Sequence, residues 1–353
     1  MARIDEYLTE VLNKKGSDLH FLAGDPPRIR LYGDLLQLRP DRLAPDFVRE
    51  SLYEIMPKKA TERFESKDGT DFAYHLQGVA RFRVNVMRHL SGMGAVFRAI
   101  PSQALTLDQL NMPDSVRNLC RVISGLILVT GKTGSGKSTT LAAMIDDINT
   151  RIKGHILTIE DPIEFVHDRK SCLISQREIG VHAPTFAGAL HSALREDPDV
   201  VLVGELRDLE TMSIAVTAAE MGILVMGTLH TNGAGATVDR MVNAFPADKQ
   251  SHVRTMLSTS LRGVVSQQLL QRADKQGRVA ALEILVNTPA VANLIRQGKL
   301  DQLENTMQSG AAHGMRTMDT AIQALLDERV ITGREAYKKG INKAKFEAVK
   351  EAG

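Results

Sequence analysis

Eight consecutive residues near the middle of the chain have the types and the spacing that bind a phosphate group. They read GKTGSGKS and match the pattern G-x-x-x-x-G-K-[ST] at every constrained position. Glycines let backbone N–H groups turn inward around phosphate oxygens, and a helix that follows offers its N-terminus to the same anion. The candidate nucleotide-binding residues are Gly131, Thr133, Gly134, Ser135, Gly136, Lys137, Ser138 and Thr139.

Two side chains of this loop have predicted roles in binding ATP and Mg²⁺. Lys137 is expected to bridge the β- and γ-phosphates, and Ser138 is expected to ligate the metal. The alternative is a glycine-rich turn that matches by chance, but an apolar strand pattern precedes the loop and a helical pattern follows it. GTP-binding proteins usually also carry an N-K-x-D motif, and NKKG and NKAK in this chain lack the aspartate. The sequence therefore favours ATP over GTP.

Acidic residues follow two other predicted strands. ILTIEDPIEF places Glu160, Asp161 and Glu164 at a strand end, where doubly wound sheets bind ligands. One of these three carboxylates can orient and deprotonate an attacking water. The alternative is a solvated acidic turn set up by Pro162. In VVLVGELRD, Glu205 follows an apolar strand, the Walker B arrangement that holds magnesium through water. The alternative is that Glu205 is an acid at the N-terminus of the next helix.

Histidine and arginine residues complete the candidate site. His230 ends the apolar run of GTLHT, where it is either a packed histidine or a sensor of the γ-phosphate. Arg81 and Arg83 alternate with apolar residues, so both point to one face of a strand, and Arg98 lies on the next strand. These arginines either neutralise charge on the transferred phosphate or form a solvated basic sheet face.

The residues before the phosphate loop read as a small α+β domain over 1–100, followed by a linker over 101–112. Helical patterns at 2–15 and 46–65 accompany strand patterns at 79–89 and 94–100.

The remaining residues, 113–353, have a different pattern of apolar and polar residues. Apolar strand runs alternate with helical patterns, which predicts an α/β domain with a parallel sheet covered on both faces. Beyond position 247 a long amphipathic helix is expected over 253–265, then one strand over 277–286. The basic tail reads as a solvated helix, with a partner site as the alternative. The predicted strands of the sheet are 126–130, 156–160, 200–204 and 223–229.

Composition narrows the functional class. The net charge of +2, from 44 basic and 42 acidic residues, argues against a protein that coats nucleic acid. The two cysteines form no CxxC pair and no zinc-ligand cluster. The N-terminal segment lacks the apolar region of a signal peptide, and no apolar run reaches the roughly 18 residues of a membrane helix. We therefore expect a cytoplasmic protein that meets a membrane only through partners.

Four segments occur in a recognisable order. GKTGSGKSTTLAAMI, TIEDPIEF, ALREDPDVVLVGELRDLET and GTLHT resemble the Walker A, Asp, Walker B and His boxes of the secretion-type ATPases of type IV pili and type II secretion. GSDLH, RFRVN, SQREIG and GMRTMD are similar to the pilus retraction branch of that family. The resemblance covers essentially the whole chain.

This resemblance implies a PAS-like N-terminal domain, a RecA-like P-loop domain and a homohexameric ring. It implies Glu164 as catalytic base, Glu205 as Walker B acid, Arg83 and Arg98 as arginine fingers, and His230 as the His-box histidine. The function implied is a motor at the inner-membrane face that powers pilus retraction, pilin depolymerisation and twitching motility. Its partners would be an inner-membrane platform protein and a sister ATPase.

Two segments depart from the family pattern. AEMGILV has Met221 and Ile223 where the family often reads threonine and histidine, and PAVANLIRQGK keeps only part of a motif of the retraction branch. An accessory or regulatory paralogue of the pilus machinery is therefore the first alternative. A nucleic-acid translocase is the second, although the chain has 4% aromatic residues and no basic stripe, so direct nucleic-acid binding is not expected.

Overall fold

A computed structural model describes residues 2–31, 34–100 and 104–351. Contacts divide the chain into two compact units, residues 1–103 and 104–353. Positions 101–103 of the expected linker lie outside the described residues. Leu107 and Met112, from the rest of that segment, are buried in a core cluster of the second unit.

The first unit combines helices with an antiparallel sheet, the α+β arrangement that the sequence predicts. Its strands lie in the order β3-β2-β1-β6-β5-β4. The helices pack against one face, where Phe21, Phe82 and Phe97 are fully buried. The elements in chain order are α1 (Asp5–Asn13), β1 (Asp18–Leu22), β2 (Arg28–Leu31), β3 (Asp34–Gln37), α2 (Pro45–Ile55), α3 (Lys58–Lys67), β4 (Gly69–Leu76), β5 (Ala80–His89) and β6 (Gly92–Ile100).

The second unit is built on a largely parallel sheet in the order β13-β12-β7-β11-β10-β8-β9. Its strands are β7 (Gly125–Thr130), β8 (His155–Glu160), β9 (Leu173–Glu178), β10 (Val200–Val203), β11 (Leu224–Leu229), β12 (Leu261–Gln271) and β13 (Arg278–Val286). The strand pairs from β9 to β12 are parallel, and β13 is antiparallel to β12.

Helices surround this sheet. The α-helices are α4 (Asp114–Leu119), α5 (Lys137–Arg151), α6 (Phe186–Ala193), α7 (Leu209–Glu220), α8 (Ala234–Asn243), α9 (Gln250–Ser260), α10 (Pro289–Gln297), α11 (Leu303–Ser309), α12 (Met318–Asp327), α13 (Gly333–Lys339) and α14 (Lys343–Phe346). Short 3₁₀ turns lie at Leu300–Gln302, Ala311–His313 and Glu347–Val349.

Strand β7 shows why the sheet is covered on both faces. Leu126 and Leu128 pack into one buried cluster, and Ile127 and Val129 pack into the other. Because successive side chains of a strand point to opposite faces, an apolar residue at every position requires helices on both sides. The predicted α/β domain with its parallel sheet is confirmed.

The predicted helix over 253–265 is wrong at its C-terminal end. Helix α9 stops at Ser260, and β12 starts at Leu261 and pairs with β7. The Asn287 side-chain amide donates to the carbonyls of Ser258 and Leu261 at 3.0 and 2.8 Å, and so satisfies backbone groups at the junction. Apolar spacing alone does not separate a short buried strand from a helix, and here sheet pairing decides.

Two further features differ from the sequence-based expectations. Strand β9 is an edge strand for which the sequence pattern gave no prediction. The basic tail is not simply solvated, because Phe346 is fully buried beside Leu270 and Met318. A Cβ on Gly340 would lie 2.5 Å from the Phe346 ring, so glycine is needed for this packing. The tail therefore belongs to the fold of the second unit.

Candidate functional site

The phosphate loop joins β7 to α5 at the carboxyl edge of the parallel sheet. Gly131, Gly134 and Gly136 have φ values of +138°, +78° and +88°, which only glycine adopts easily. A Cβ on Gly131 would lie 2.3 Å from the backbone oxygen of Gln267. The backbone path of the loop therefore requires glycine at these positions.

The Lys137 side chain is buried inside this loop. Its ammonium donates to the backbone oxygens of Gly131 at 2.9 Å and Lys132 at 3.3 Å. Burial lowers the pKa of Lys137, and the charges of Glu205 and Glu164 oppose that change. A buried ammonium group that is bonded only to neutral carbonyls attracts an anion strongly.

Ser135 and Gln267 add two observations that bear on a ligand. The Ser135 hydroxyl oxygen is buried and, among the described residues, has no hydrogen-bond partner. The Gln267 amide donates to the Ser135 carbonyl at 2.7 Å and accepts from the Thr140 hydroxyl at 2.7 Å. Gln267 thus braces the loop against α5. Gln267 is not among the residues predicted from the sequence, although a Gln-Gln pair inside an apolar strand is an available signal.

Ser138 and Thr139 lie half-buried in the first turn of α5. Ser138 also lines a cavity of about 30 Å³, which Glu160, Gly204 and Thr228 line as well. Glu160 and Gly204 are close, because a Cβ on Gly204 would lie 3.2 Å from the Glu160 Cα atom. The ends of β8 and β10 therefore converge on the start of α5.

The three acidic residues after β8 differ in environment. Glu160 accepts hydrogen bonds from the Thr158 hydroxyl at 2.7 Å and the Glu164 backbone N–H at 3.4 Å. Burial raises the pKa of Glu160 to about 7, against the effect of these bonds. Glu164 and Asp161 are exposed. Glu160 is thus a partly buried acid beneath a loop that presents Glu164 to solvent.

Glu205 follows β10 and is held by two side chains. Its carboxylate accepts from Arg207 at 2.7 Å, and its other oxygen lies 3.2 Å from His230 Nε2. Burial by itself would raise the pKa of Glu205, but the hydrogen bond and charge of Arg207, together with His230, lower it overall. Arg207 is not among the residues predicted from the sequence, although ELRD places it two residues after the acid.

His230 links the acid to the phosphate loop. It follows β11, the strand between β7 and β10, and its Nδ1 atom lies 3.5 Å from the Thr133 hydroxyl. Thus Lys137, Glu205 and His230 lie at one edge of the sheet, as the sequence predicts. Ile223, by contrast, precedes β11, about 20 Å away along a six-residue strand. The departure from the family pattern at Ile223 therefore does not remove a side chain from this edge.

A cavity of about 590 Å³ adjoins the tip of the phosphate loop. The buried carboxylate of Glu283 accepts from the N–H groups of Ala234 at 2.7 Å and Met318 at 3.1 Å. The positively charged residues that line the cavity are Lys132, Arg278, Lys338 and Lys339. The cavity is therefore rich in positive charge, which suits an anionic ligand.

The candidate arginines belong to the first unit. Arg81 and Arg83 alternate with buried Phe82 and Val84 on β5, as predicted, and Arg83 pairs with Arg98 across β5 and β6. Arg98 Nε donates to Asp18 at 2.9 Å, while Arg83 Nε lies 4.0 Å from Asp71. Arg81 is half-buried. These contacts are all internal to the first unit, and their role toward a ligand stays a prediction.

The helices and the metal-ligating side chains bear on membrane and metal binding. Within the described residues, every helix is too short or too polar to cross a membrane. In the same residues, His, Cys, Asp and Glu side chains form no cluster of three that could hold a metal ion.

Comparison with known proteins gives a consistent family. Residues 1–344 match the model of the type II/IV secretion system protein family. The chain is 49% identical over 336 residues to a protein of Pseudomonas aeruginosa named type IV pilus retractation ATPase PilT, which covers 95% of this chain and 97% of that one. It is also 49% identical over 316 residues to a twitching motility protein of Neisseria gonorrhoeae, covering 90% and 84% of the two chains.

A solved structure agrees with these relatives. The crystal structure of the pilus retraction motor PilT with bound ADP superposes with a TM-score of 0.92 at 42% identity. The match covers 99% of this chain and 100% of that one. The two-unit architecture described above is therefore that of a nucleotide-binding relative.

Proposed function

Because the chain belongs to the type II/IV secretion system protein family, we propose that it is an ATP-hydrolysing motor that powers retraction of a type IV pilus. ATPase activity follows from the family and from relatives named as pilus retraction ATPases. The observation that carries the proposal is the phosphate loop, in which buried Lys137 lies at the same sheet edge as the bonded pair Glu205 and His230.

The residues of the loop fit the phosphates of ATP. Lys137 offers a buried positive charge, and the Ser135 hydroxyl has an unused hydrogen-bonding capacity among the described residues. The helix α5 begins at Lys137, so its free N–H groups face the same place. The cationic cavity beside the loop supports binding of further parts of an anionic nucleotide.

Mg²⁺ also fits the side chains of this edge. Ser138 offers a hydroxyl oxygen, and Glu205 offers a carboxylate whose lowered pKa keeps it ionised. When bound, the metal would neutralise charge on the phosphate oxygens. Glu205 is held by Arg207 and His230, so the carboxylate is oriented before the ligands arrive.

In the proposed reaction, Glu164 takes a proton from a water whose oxygen attacks the γ-phosphorus. The bond between that phosphorus and the β–γ bridging oxygen breaks, which gives ADP and phosphate. Lys137 and the arginines Arg83 and Arg98 stabilise the negative charge that develops on the transferred phosphoryl group. His230, between Glu205 and Thr133, is placed to respond to loss of the γ-phosphate.

The assembly and the location are further parts of the proposal. We place the protein in the cytoplasm, at the inner-membrane face of a pilus machine, as a homohexameric ring. Its partners would be an inner-membrane platform protein and a sister ATPase, and pilin depolymerisation would be the output. The relatives named for pilus retraction and twitching motility support this assignment.

Deleting the gene in a piliated host tests the function. We expect many surface pili and no twitching, with rescue by the wild-type gene and no rescue by a Glu164→Gln gene. Unchanged twitching would instead indicate an accessory paralogue. Turnover of the purified protein that rises strongly with added DNA, with a steep salt dependence, would indicate a translocase.

A further inference from the structure

The loop that carries Glu164 is held by side chains of the edge strand β9. Residues 163–169 have no regular secondary structure. The Gln176 side chain donates through Nε2 to the Phe165 carbonyl at 2.8 Å and accepts through Oε1 from the His167 N–H at 2.9 Å. Both hydrogen-bonding ends of one amide are therefore used on the backbone of the loop.

Glu178 makes a third contact of the same kind. Its Oε2 atom accepts from the Ile163 N–H at 3.2 Å, and the residue is 4% exposed. Gln176 and Glu178 are two positions apart on β9, so their side chains point to the same face of the sheet. Together they hold the backbone at Ile163, Phe165 and His167, which brackets Glu164 on both sides.

Glu160 joins this network from β8. Gln176 Nε2 lies 3.4 Å from Glu160 Oε1, and Glu160 Oε2 lies 3.4 Å from the Glu164 N–H. The loop is thus bonded to β9 and touches the end of β8, while the Glu164 side chain itself remains exposed. The structure fixes the backbone at Glu164 and leaves its carboxylate free to meet a ligand.

We propose that Gln176 and Glu178 are positioning residues that place Glu164 for water activation. The inference rests on the proposed function, in which Glu164 is the catalytic base. A base on an irregular loop must be held within a fraction of an ångström of its productive place, because a misplacement of about 1 Å can cost about 100-fold in rate. The Gln176 and Glu178 side chains supply that constraint from β9.

A Gln176→Leu variant of the full chain tests the inference. Leucine has a similar volume and can make neither hydrogen bond. We expect kcat to fall by about 10- to 100-fold. The Kd for the fluorescent nucleotide mant-ATP should stay within about twofold, because the phosphate loop is untouched. The matched control is Gln323→Leu, which makes the same change on α12, where the half-buried Gln323 amide donates to Asp327 at 2.8 Å.

The Glu164→Gln background distinguishes positioning from a general loss of structure. If Gln176 acts through Glu164, then Gln176→Leu will cause no further loss of kcat once Glu164 is replaced, because the two effects share one route. A second loss of the same size in that background overturns the inference. If Glu164→Gln alone turns over like the wild type, the assignment of the base fails, and the positioning role fails with it.

Conservative variants keep the test open if Gln176→Leu does not fold. Glu178→Gln retains an acceptor for the Ile163 N–H, so its kcat should remain within about threefold of the wild type. Glu178→Ala removes the acceptor and should lose rate like Gln176→Leu. Gln176→Glu keeps the acceptor for His167, but it loses the donor to Phe165 and places a second carboxyl group beside Glu160, so it should lose rate like Gln176→Leu. Equal rates in all three variants would contradict the proposed positioning role of Gln176 and Glu178.

Discussion

His230 Nε2 lies 3.2 Å from Glu205 Oε1, while its Nδ1 lies 3.5 Å from the hydroxyl of Thr133. One imidazole therefore spans the distance between the acid after β10 and the phosphate loop after β7. It does so because β11, whose end carries His230, lies between those two strands in the sheet. A change at the loop can reach Glu205 through this single side chain.

His230→Ala is expected to lower kcat about 10-fold and to leave nucleotide affinity nearly unchanged. Alanine breaks the link between Glu205 and Thr133 but leaves Lys137 and the loop backbone in place. Steady-state turnover and mant-ATP titration measure the two effects. The exposed His313 offers a control, His313→Ala, that should behave like the wild type. A loss of affinity without a loss of kcat would contradict the linking role.

Lys137→Ala is expected to reduce turnover at least about 100-fold, because the buried ammonium is the principal positive charge of the phosphate loop. The measurement is phosphate release at saturating ATP and Mg²⁺. Lys153→Ala, which removes an exposed lysine after α5, is the matched control. Normal turnover in Lys137→Ala would refute the site assignment.

Glu164→Gln is expected to bind ATP and to hydrolyse it about 100- to 10,000-fold more slowly, since the amide cannot accept the proton of water. Equilibrium binding and single-turnover hydrolysis separate the two steps. Glu62→Gln, on the exposed side of α3, controls for the loss of one carboxylate. If binding were lost together with hydrolysis, Glu164 would be a structural residue.

Arg207→Ala is expected to move the acidic limb of the turnover–pH profile to higher pH. The sign follows from Glu205, whose pKa burial would raise but Arg207 and His230 hold below its usual value. Without Arg207, the carboxylate protonates at a higher pH, and its capacity to hold Mg²⁺ is lost earlier on acidification. Arg207→Lys retains the positive charge and should shift less. Identical profiles would show that Glu205 does not control this limb.

Glu160→Gln is expected to change how stability depends on pH. Burial raises the pKa of Glu160 from 4.5 to about 7 in the folded chain. Between these values the folded state binds more protons than the unfolded state, so this residue makes the wild type less stable as pH rises through that window. The variant cannot bind this proton. As pH is raised from 5 to 8, its free energy of unfolding minus that of the wild type should therefore increase by up to roughly 3 kcal/mol. Urea unfolding at both pH values measures the change, and a constant difference would refute it.

The sequence by itself determined the phosphate loop and the parallel sheet around it. Glycines at 131, 134 and 136 with Lys137 and Ser138 form a local pattern, because the loop and the helix start are contiguous in the chain. The strands at 126–130 and 200–204 could be predicted because a strand buried on both faces is apolar at nearly every position. Glu205 and His230 were found for the same reason, as polar residues at the ends of such strands.

Only the tertiary structure decided which distant side chains serve that loop. Gln267 braces the loop from β12. The start of β12 has the apolar spacing of a helix, but it forms a strand because it pairs with β7. Gln176 reaches the acidic loop from β9, an edge strand without a clear pattern. These residues are far apart in sequence and are joined by side-chain hydrogen bonds. Such bonds depend on strand order, which local periodicity does not encode.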